Sequence, residues 1–345
     1  MRAVTIRAHG GPEQILLDDV PRPADPGARD VVVALRASAL NHLDLFVLRG
    51  LPGVAPAFPH VLGADGAGVV EAVGAEVTAV RPGDRVVINP GVSCHACAYC
   101  RAGEHSLCTT FRLLGEHLGG TFAEAIRLPE ANVAAIPATV PWEEAAAFPL
   151  TFLTAWRMLS TRAAVKAGET VLIWGIGGGV ALAALQIAKL RGATVVVTSS
   201  SDEKLARARA LGADVTLNHA SADVAREVRE LAGKRGADVV VDTVGEATWE
   251  RSLRALARGG RLVTCGATTG PSVGLDVRRL FWHQYTVMGS TMGNAAEFRE
   301  VVGLLARGVL HPVVDAVLPV RDARAAFERL AAGRQFGKLV LDIAA

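Results

Sequence analysis

The apolar residues of this chain follow two rhythms, and the change falls near Pro149. Before it, short valine-rich runs stand between turn signals: VVVAL (31–35), GVVEAVG (68–74) and RVVI (85–88). Each is bounded by Pro, Gly or Asp, as in PRPADPG and RPGD. Branched runs of that length predict short strands, and the punctuation predicts a compact, irregular barrel. After Pro149, apolar strands alternate with helical patterns. ETVLIW (169–174) reads as a buried strand, 180–191 as a helix, ATVVVTS (193–199) as the next strand, and 202–211 as a helix stopped by Gly212. ADVVVDTVG, GGRLVTCGA and YTVMGS supply three more strands. This alternation predicts an α/β architecture with a doubly wound parallel sheet. From about Thr291 the chain reads as a helix (295–307), a strand in VVDAVLPV, a helix (322–332) and a closing strand, GKLVLDI. The resulting division is 1–150, 151–290 and a return segment, 291–345, that completes the first domain.

One stretch imitates a membrane span. VLIWGIGGGVALAALQIA (171–188) carries no charge and approaches the ~18 residues that a span requires. Its clustered glycines favour a strand, a turn and a buried helix instead. The first residues, MRAVTIRAHG, lack the apolar core of a signal peptide, so a cytoplasmic protein is expected. The net charge is only +2 and no block of like charge occurs, which argues against a nucleic-acid or polyanion partner.

Two motifs carry chemistry. The first is Gly175-Ile176-Gly177-Gly178-Gly179-Val180-Ala181, which follows a strand and opens a helix. Glycine permits the tight turn, and backbone amides at a helix start receive a pyrophosphate. Gly175, Gly178, Gly179 and Val180 are therefore candidate dinucleotide contacts. The next strand ends in Ser199-Ser200-Ser201, where an NAD-specific fold usually places an acid. Nothing there repels a 2′-phosphate, and Lys204, or Arg207, lies within reach to pair with one. NADP is expected over NAD. The second motif is Cys94-x2-Cys97-x2-Cys100-x7-Cys108. Four clustered thiolates make a closed tetrahedral zinc site, hence a structural one. The iron–sulfur alternative places its fourth cysteine three residues on and follows it with Pro; here the gap is seven and Thr109 follows. His95 and His105 read as loop residues, His60 as structural, and Cys265 as a structural thiol at a strand end.

With LNHLD (40–44), PHVLGADGAG (59–68) and the closing FGKLVL, these motifs resemble the medium-chain dehydrogenase/reductase superfamily over essentially the whole chain. The match is nearest to zinc-binding alcohol dehydrogenase-like and quinone oxidoreductase-like members. The resemblance implies a GroES-like β-barrel catalytic domain beside a Rossmann domain, and a homodimer or homotetramer acting on a small molecule. It also exposes departures. Where alcohol dehydrogenases hold a catalytic zinc by Cys, His and Cys, this chain has Asn41, Ala64 and Leu150; the acid after the His is Asp65, and Leu43 replaces the relay hydroxyl. One zinc per chain is therefore expected.

Asn41 and Asp44 match the N-x-x-D of zinc-free quinone and enone reductases. This implies hydride transfer from NADPH to a quinone, enone or other conjugated carbonyl, with Asn41 and His42 as oxyanion donors and Asp44 as a further catalytic candidate. Asn41 and Asp44 are also good helix caps, and His42 occupies a place where the family binds pyrophosphate. The resemblance further implies that Thr154 touches the nicotinamide, that Gly266, Ala267 and Ser290 line it, and that Gly337 and Lys338 serve the pyrophosphate. Two rival readings are a zinc-dependent alcohol or aldehyde dehydrogenase and a non-catalytic NADPH-binding sensor.

Overall fold

The computed structural model describes all 345 residues and divides into two compact units, Met1–Leu150 with Gly293–Ala345, and Thr151–Met292. Along the chain, the first unit contains β1 (Asp30–Ala39), α1 (His42–Arg49), β2 (Asp65–Val73), β3 (Arg85–Ile88), β4 (Ala125–Pro129), β5 (Val133–Ala135) and α2 (Trp142–Ala147). The second contains β6 (Thr170–Ile173), α3 (Gly179–Leu190), β7 (Thr194–Ser199), α4 (Asp202–Ala210), β8 (Val215–Asn218), α5 (Val224–Leu231), β9 (Ala237–Val241), α6 (Trp249–Ala255), β10 (Leu256–Thr264), α7 (Val277–His283) and β11 (Thr286–Gly289). The chain then returns to the first unit as α8 (Ala295–Ala306), β12 (Val314–Pro319), α9 (Ala323–Ala331) and β13 (Lys338–Asp342).

The main sheet of the first unit runs β5-β3-β2-β1-β13-β12, with β4 also paired to β1; a separate three-stranded sheet holds Arg2–Ile6, Leu16–Asp19 and His60–Val61. Every pairing in the main sheet is antiparallel except β12 with β13. One face packs a core that includes Val31, Val33, Leu35, Val70, Phe122 and Phe327, and the two phenyl rings meet edge to face at 6.2 Å. Register decides what gathers at one end of this sheet. Ala39, the last residue of β1, pairs with Asp65, the first of β2, and also with Val340, two residues after β13 begins at Lys338.

In the second unit all sheet pairings are parallel, in the order β8-β7-β6-β9-β10-β11. Four-residue β6 is wholly buried and β7 nearly so. Helices cover both faces of such a sheet, which is why these strands read as unbroken apolar runs rather than alternating ones. The uncharged stretch 171–188 divides into β6, the glycine loop and most of α3, which buries its alanines with Leu182 and Leu185. No helix is long and apolar enough to cross a membrane. In this unit, sequence patterning passed over β8, α5, α6 and α7. Asp223 caps α5 by accepting from the Arg226 amide, and the helix buries Val224, Ala225 and Val228, a stripe too short to announce itself. A π-helical turn over Arg157–Arg162 is likewise unsignalled.

Candidate functional site

The glycine loop lies where β6 hands over to α3. Gly175 has φ +67°, a left-handed conformation that disfavours a side chain. Its amide donates to Thr198 Oγ1 at 3.3 Å, and the Ile176 amide donates to the Thr198 carbonyl at 2.7 Å. Gly178 caps α3, with Gly179 and Val180 in its first turn. The free amides at that helix start are the donors a pyrophosphate needs. The loop therefore fits a dinucleotide.

At the end of β7, Ser199 is buried and its hydroxyl accepts from the Ser201 amide at 3.1 Å, while Ser200 is exposed. Ser201 caps α4 by accepting from the Lys204 amide at 3.3 Å. Sequence reasoning missed a neighbouring group. His219, just beyond β8, places Nδ1 3.4 Å from Thr198 Oγ1. Arg251 lies over the Trp174 ring at 5.2 Å. Burial, then the Arg251 charge, holds the His219 imidazole below its ordinary range. The signal available was the polar Asn218-His219 pair closing an apolar strand.

Of the residues assigned to the nicotinamide, Thr154 is buried and its hydroxyl donates to Met292 Sδ at 3.6 Å. The Gly266 amide donates to Thr264 Oγ1 at 3.4 Å, and Ala267 follows it. The Ser290 amide donates to the Thr264 carbonyl at 2.8 Å, whereas its hydroxyl is buried without a partner. Burial pushes the Cys265 thiol up to about 12, so it stays protonated.

The first unit assembles a polar cluster at the sheet end described above. Asp65 is fully buried. Its Oδ1 accepts from the Leu150 amide at 2.8 Å. Its Oδ2 accepts from Asn41 Nδ2 at 2.9 Å and from Lys338 Nζ at 3.0 Å. Lys338 Nζ also donates to Asn41 Oδ1 at 2.5 Å. The ammonium is thus committed to a buried carboxylate and an amide. The Lys338 charge is matched by Asp65 inside the first unit. Gly337 has φ +117°, and a Cβ there would stand 2.2 Å from the Val313 carbonyl oxygen, so the position demands glycine.

Asn41 is the N-cap of α1 and Asp44 its third residue. Asp44 Oδ2 accepts from the Asn41 amide at 2.7 Å, while Oδ1 is buried with no partner. Capping and site geometry coincide here. Burial pushes the Asp44 carboxyl up to about 7, opposed by the Asn41 amide and the Lys338 charge. His42 is pulled below its ordinary range, first by burial, then by the Lys338 and Arg49 charges. It is therefore a neutral imidazole at pH 7.

In the cysteine loop, the Sγ atoms of Cys94, Cys97, Cys100 and Cys108 all lie within 4.8 Å of one another. The Cys94 and Cys100 sulfurs are 3.9 Å apart, close to the ~3.8 Å separating two sulfurs on a tetrahedral zinc with ~2.3 Å bonds. Backbone amides point at the sulfurs: Cys94 N to Cys108 Sγ and Cys97 N to Cys94 Sγ, both at 3.3 Å. These donors favour thiolates. The donor set is soft, fourfold and closed, and it fits a structural zinc. His105 is not in the cluster, and its Nδ1 lies 3.1 Å from the Gly103 carbonyl and 3.4 Å from the Ala295 nitrogen. The His60 ring contacts the Gly115 carbonyl at 3.0 Å.

Comparison with known proteins agrees with this reading. Residues 27–138 match the family model "Alcohol dehydrogenase GroES-like domain", and 179–307 match "Zinc-binding dehydrogenase". A quinone oxidoreductase of Pseudomonas aeruginosa is 34% identical, with 99% of each chain covered. An acryloyl-coenzyme A reductase of Metallosphaera sedula is 31% identical, again with 99% of each covered. A crystal structure of an NAD-dependent alcohol dehydrogenase is 48% identical, covers 99% of both chains and superposes with a TM-score of 0.95. With its glycine loop, its four-cysteine loop and these full-length relatives, the chain belongs to the medium-chain dehydrogenase/reductase superfamily, among its zinc-binding alcohol dehydrogenase-like and quinone oxidoreductase-like members.

Proposed function

We propose that this oxidoreductase passes a hydride from NADPH to a quinone, enone or other conjugated carbonyl without a catalytic zinc. The observation that carries the reading is the Lys338–Asp65–Asn41 cluster. A catalytic zinc takes about three protein ligands. Ala64 and Leu150 offer no side-chain donor, Asn41 offers only an amide, and Asp65 already faces an ammonium at 3.0 Å. A second cation in that place would be repelled by the first. Without a Lewis acid, an alcohol lacks the charge that stabilises its alkoxide. A conjugated carbonyl asks less, since hydrogen-bond donors suffice for its developing oxyanion.

The dinucleotide would be held by Gly175, Gly178, Gly179 and Val180, with Ser199, Ser200 and Lys204 admitting a 2′-phosphate. Bound, it supplies the hydride. Relatives named quinone oxidoreductase and acryloyl-coenzyme A reductase support the acceptor class. A cytoplasmic homodimer or homotetramer is part of the same proposal. The second reading, a zinc-dependent alcohol dehydrogenase using NAD, is favoured by the name of the 48%-identical structure. Metal content and NADPH oxidation, measured on one preparation with a panel of quinones, enones and alcohols, separate the two. The expected result is one zinc per chain and turnover of conjugated acceptors. Two zincs per chain with chelator-sensitive alcohol oxidation would overturn the proposal.

A further inference from the structure

In the second unit, β7 and β8 lie to one side of β6, while β9, β10 and β11 lie to the other. A sheet of this kind takes its ligand outside the carboxyl ends of the strands at that reversal. With the pyrophosphate at Gly175 and the adenosine ribose at the end of β7, the nicotinamide half falls to the ends of β9 and β10. We propose that Asp242, the residue after β9, clamps the loop 243–248 and, through Thr269, the loop 265–270 into one wall that sets the affinity for the nicotinamide half. Asp242 is a positioning residue and does not itself touch the cofactor. The proposal rests on the dinucleotide placement above and goes beyond it.

Asp242 is fully buried, as is Ser252 on α6. Its Oδ1 accepts from the Val244 and Gly245 amides at 2.9 and 3.0 Å. Its Oδ2 accepts from Ser252 Oγ at 2.6 Å, and the Thr248 hydroxyl lies 2.9 Å from both oxygens. Thr248 stands at the N-cap of α6, yet its side chain caps nothing in that helix. Its hydroxyl goes to Asp242 instead. A buried carboxylate with its oxygens filled in this way holds its surroundings rigid.

The clamped loop is zipped to its neighbour. The Val244 carbonyl accepts from the Thr269 amide at 2.9 Å and from Thr269 Oγ1 at 2.8 Å. Thr269 Oγ1 in turn accepts from the Ala247 amide at 3.1 Å, and the Thr268 amide donates to the Thr243 carbonyl at 3.3 Å. Gly245, at φ +88°, would place a Cβ 2.6 Å from the Gly270 carbonyl oxygen, so the two loops approach as only glycine allows. The wall also borders the glycine turn, since a Cβ at Gly175 would meet Val244 Cγ2 at 3.5 Å. Gly266 and Ala267 belong to the zipped loop. Holding it in place before the cofactor arrives spares the cost of ordering it on binding.

The test compares NADPH with 2′,5′-ADP, which carries the adenosine half and no nicotinamide, in titrations of the full chain. Asp242→Ala removes the clamp. Asp242→Asn is the conservative variant: its amide oxygen can still accept from the Val244 and Gly245 amides, and its NH2 can donate to the Thr248 and Ser252 hydroxyls. Thr269→Val removes an exposed hydroxyl from the zip and leaves the core untouched. In Asp242→Ala, NADPH affinity is expected to fall about tenfold or more while 2′,5′-ADP affinity holds within about threefold. Asp242→Asn should stay within about threefold of the wild type for both, and Thr269→Val should lose about fivefold for NADPH alone. Equal losses of the two ligands in Asp242→Ala would make Asp242 a general support of the fold and overturn the proposal, as would an NADPH affinity that did not change. If Asp242→Ala failed to fold, Thr269→Val would decide, and an unaltered NADPH affinity there would overturn the clamp. A wild type that bound NADH in preference to NADPH would overturn the cofactor choice proposed above, and the same comparison with NADH and AMP would then decide the clamp. A wild type that bound no nicotinamide dinucleotide would overturn both.

Discussion

Lys338 and Asp65 form an ion pair at 3.0 Å in which the lysine side chain is 4% exposed and the carboxylate is fully buried. Removing one partner of such a pair strands a charge in the core and costs about 3–5 kcal/mol, whereas removing both costs much less. Asp65→Asn and Lys338→Met should each lower the thermal unfolding midpoint by on the order of 10 °C. The double variant should recover most of that loss. Midpoints measured for all four proteins at pH 7 close the cycle. Simple addition of the two losses would mean that the charges do not depend on each other.

Asp44 makes stability depend on pH with an unusual sign. Burial holds its carboxyl protonated up to about 7 in the folded chain, against an ordinary value of 3.8. Between those values the folded state binds more protons than the unfolded one, so stability falls as pH rises through this window and levels off above it. The loss is on the order of 4 kcal/mol. In Asp44→Asn the amide oxygen can still accept from the Asn41 amide, and no proton is lost. The variant should melt above the wild type at pH 8 and near it at pH 4. Parallel melting curves across that range would show that Asp44 ionises as an exposed carboxyl does.

Much of this was legible in the sequence, for identifiable reasons. Five of the six strands of the second unit announce themselves because a parallel sheet covered on both faces leaves continuous apolar runs, as in Val195 to Val197, whereas the half-buried edge strand β8 does not. Cys94, Cys97, Cys100 and Cys108 fall within one short loop, so their spacing alone fixes their meeting. Lys338 could not be read this way. It lies 297 residues from Asn41 and 273 from Asp65, and only the strand register brings them together. The family resemblance implies a pyrophosphate role for it and is silent on this cluster. His219 escaped for the same reason, since its neighbour Thr198 belongs to a different strand.

The zinc loop predicts a metal count and its dependence on one buried sulfur. Cys100 is 6% exposed and packs its sulfur 3.9 Å from that of Cys94. Cys100→Ser replaces a soft ligand with a hydroxyl and leaves three thiolates around the ion. Elemental analysis should find about one zinc per chain in the wild type and well under half of that in the variant, with a lower melting midpoint. Zinc retained at full occupancy in the variant would show that the four sulfurs do not hold the ion together.

Gly175 supports a prediction about cofactor affinity. Its φ of +67° disfavours any L side chain by about 1–2 kcal/mol. A Cβ there would meet only Val244 Cγ2 at 3.5 Å, an ordinary contact. The strain is therefore conformational, and the loop is expected to relax by shifting its amides. Gly175→Ala should weaken NADPH about tenfold in a fluorescence titration while the chain stays folded. Unaltered affinity would place the pyrophosphate away from this turn.

The choice between NADPH and NADH turns on the end of β7. Ser199 and Ser200 bring no negative charge to it, and Ser201 caps α4 through the Lys204 amide, which fixes where the Lys204 side chain starts. A cation one turn into that helix favours a 2′-phosphate, and an acid there disfavours it. Lys204→Glu should lower the ratio of NADPH to NADH affinity by about tenfold or more, with NADH itself little changed. Raising the salt concentration should narrow the wild-type preference, because mobile ions screen the attraction between Lys204 and the phosphate. A ratio that does not move on substitution would shift the discrimination to Arg207, or to His219 just beyond β8 and Arg251 on α6. The same titration repeated on Arg207→Glu and His219→Ala would then find it.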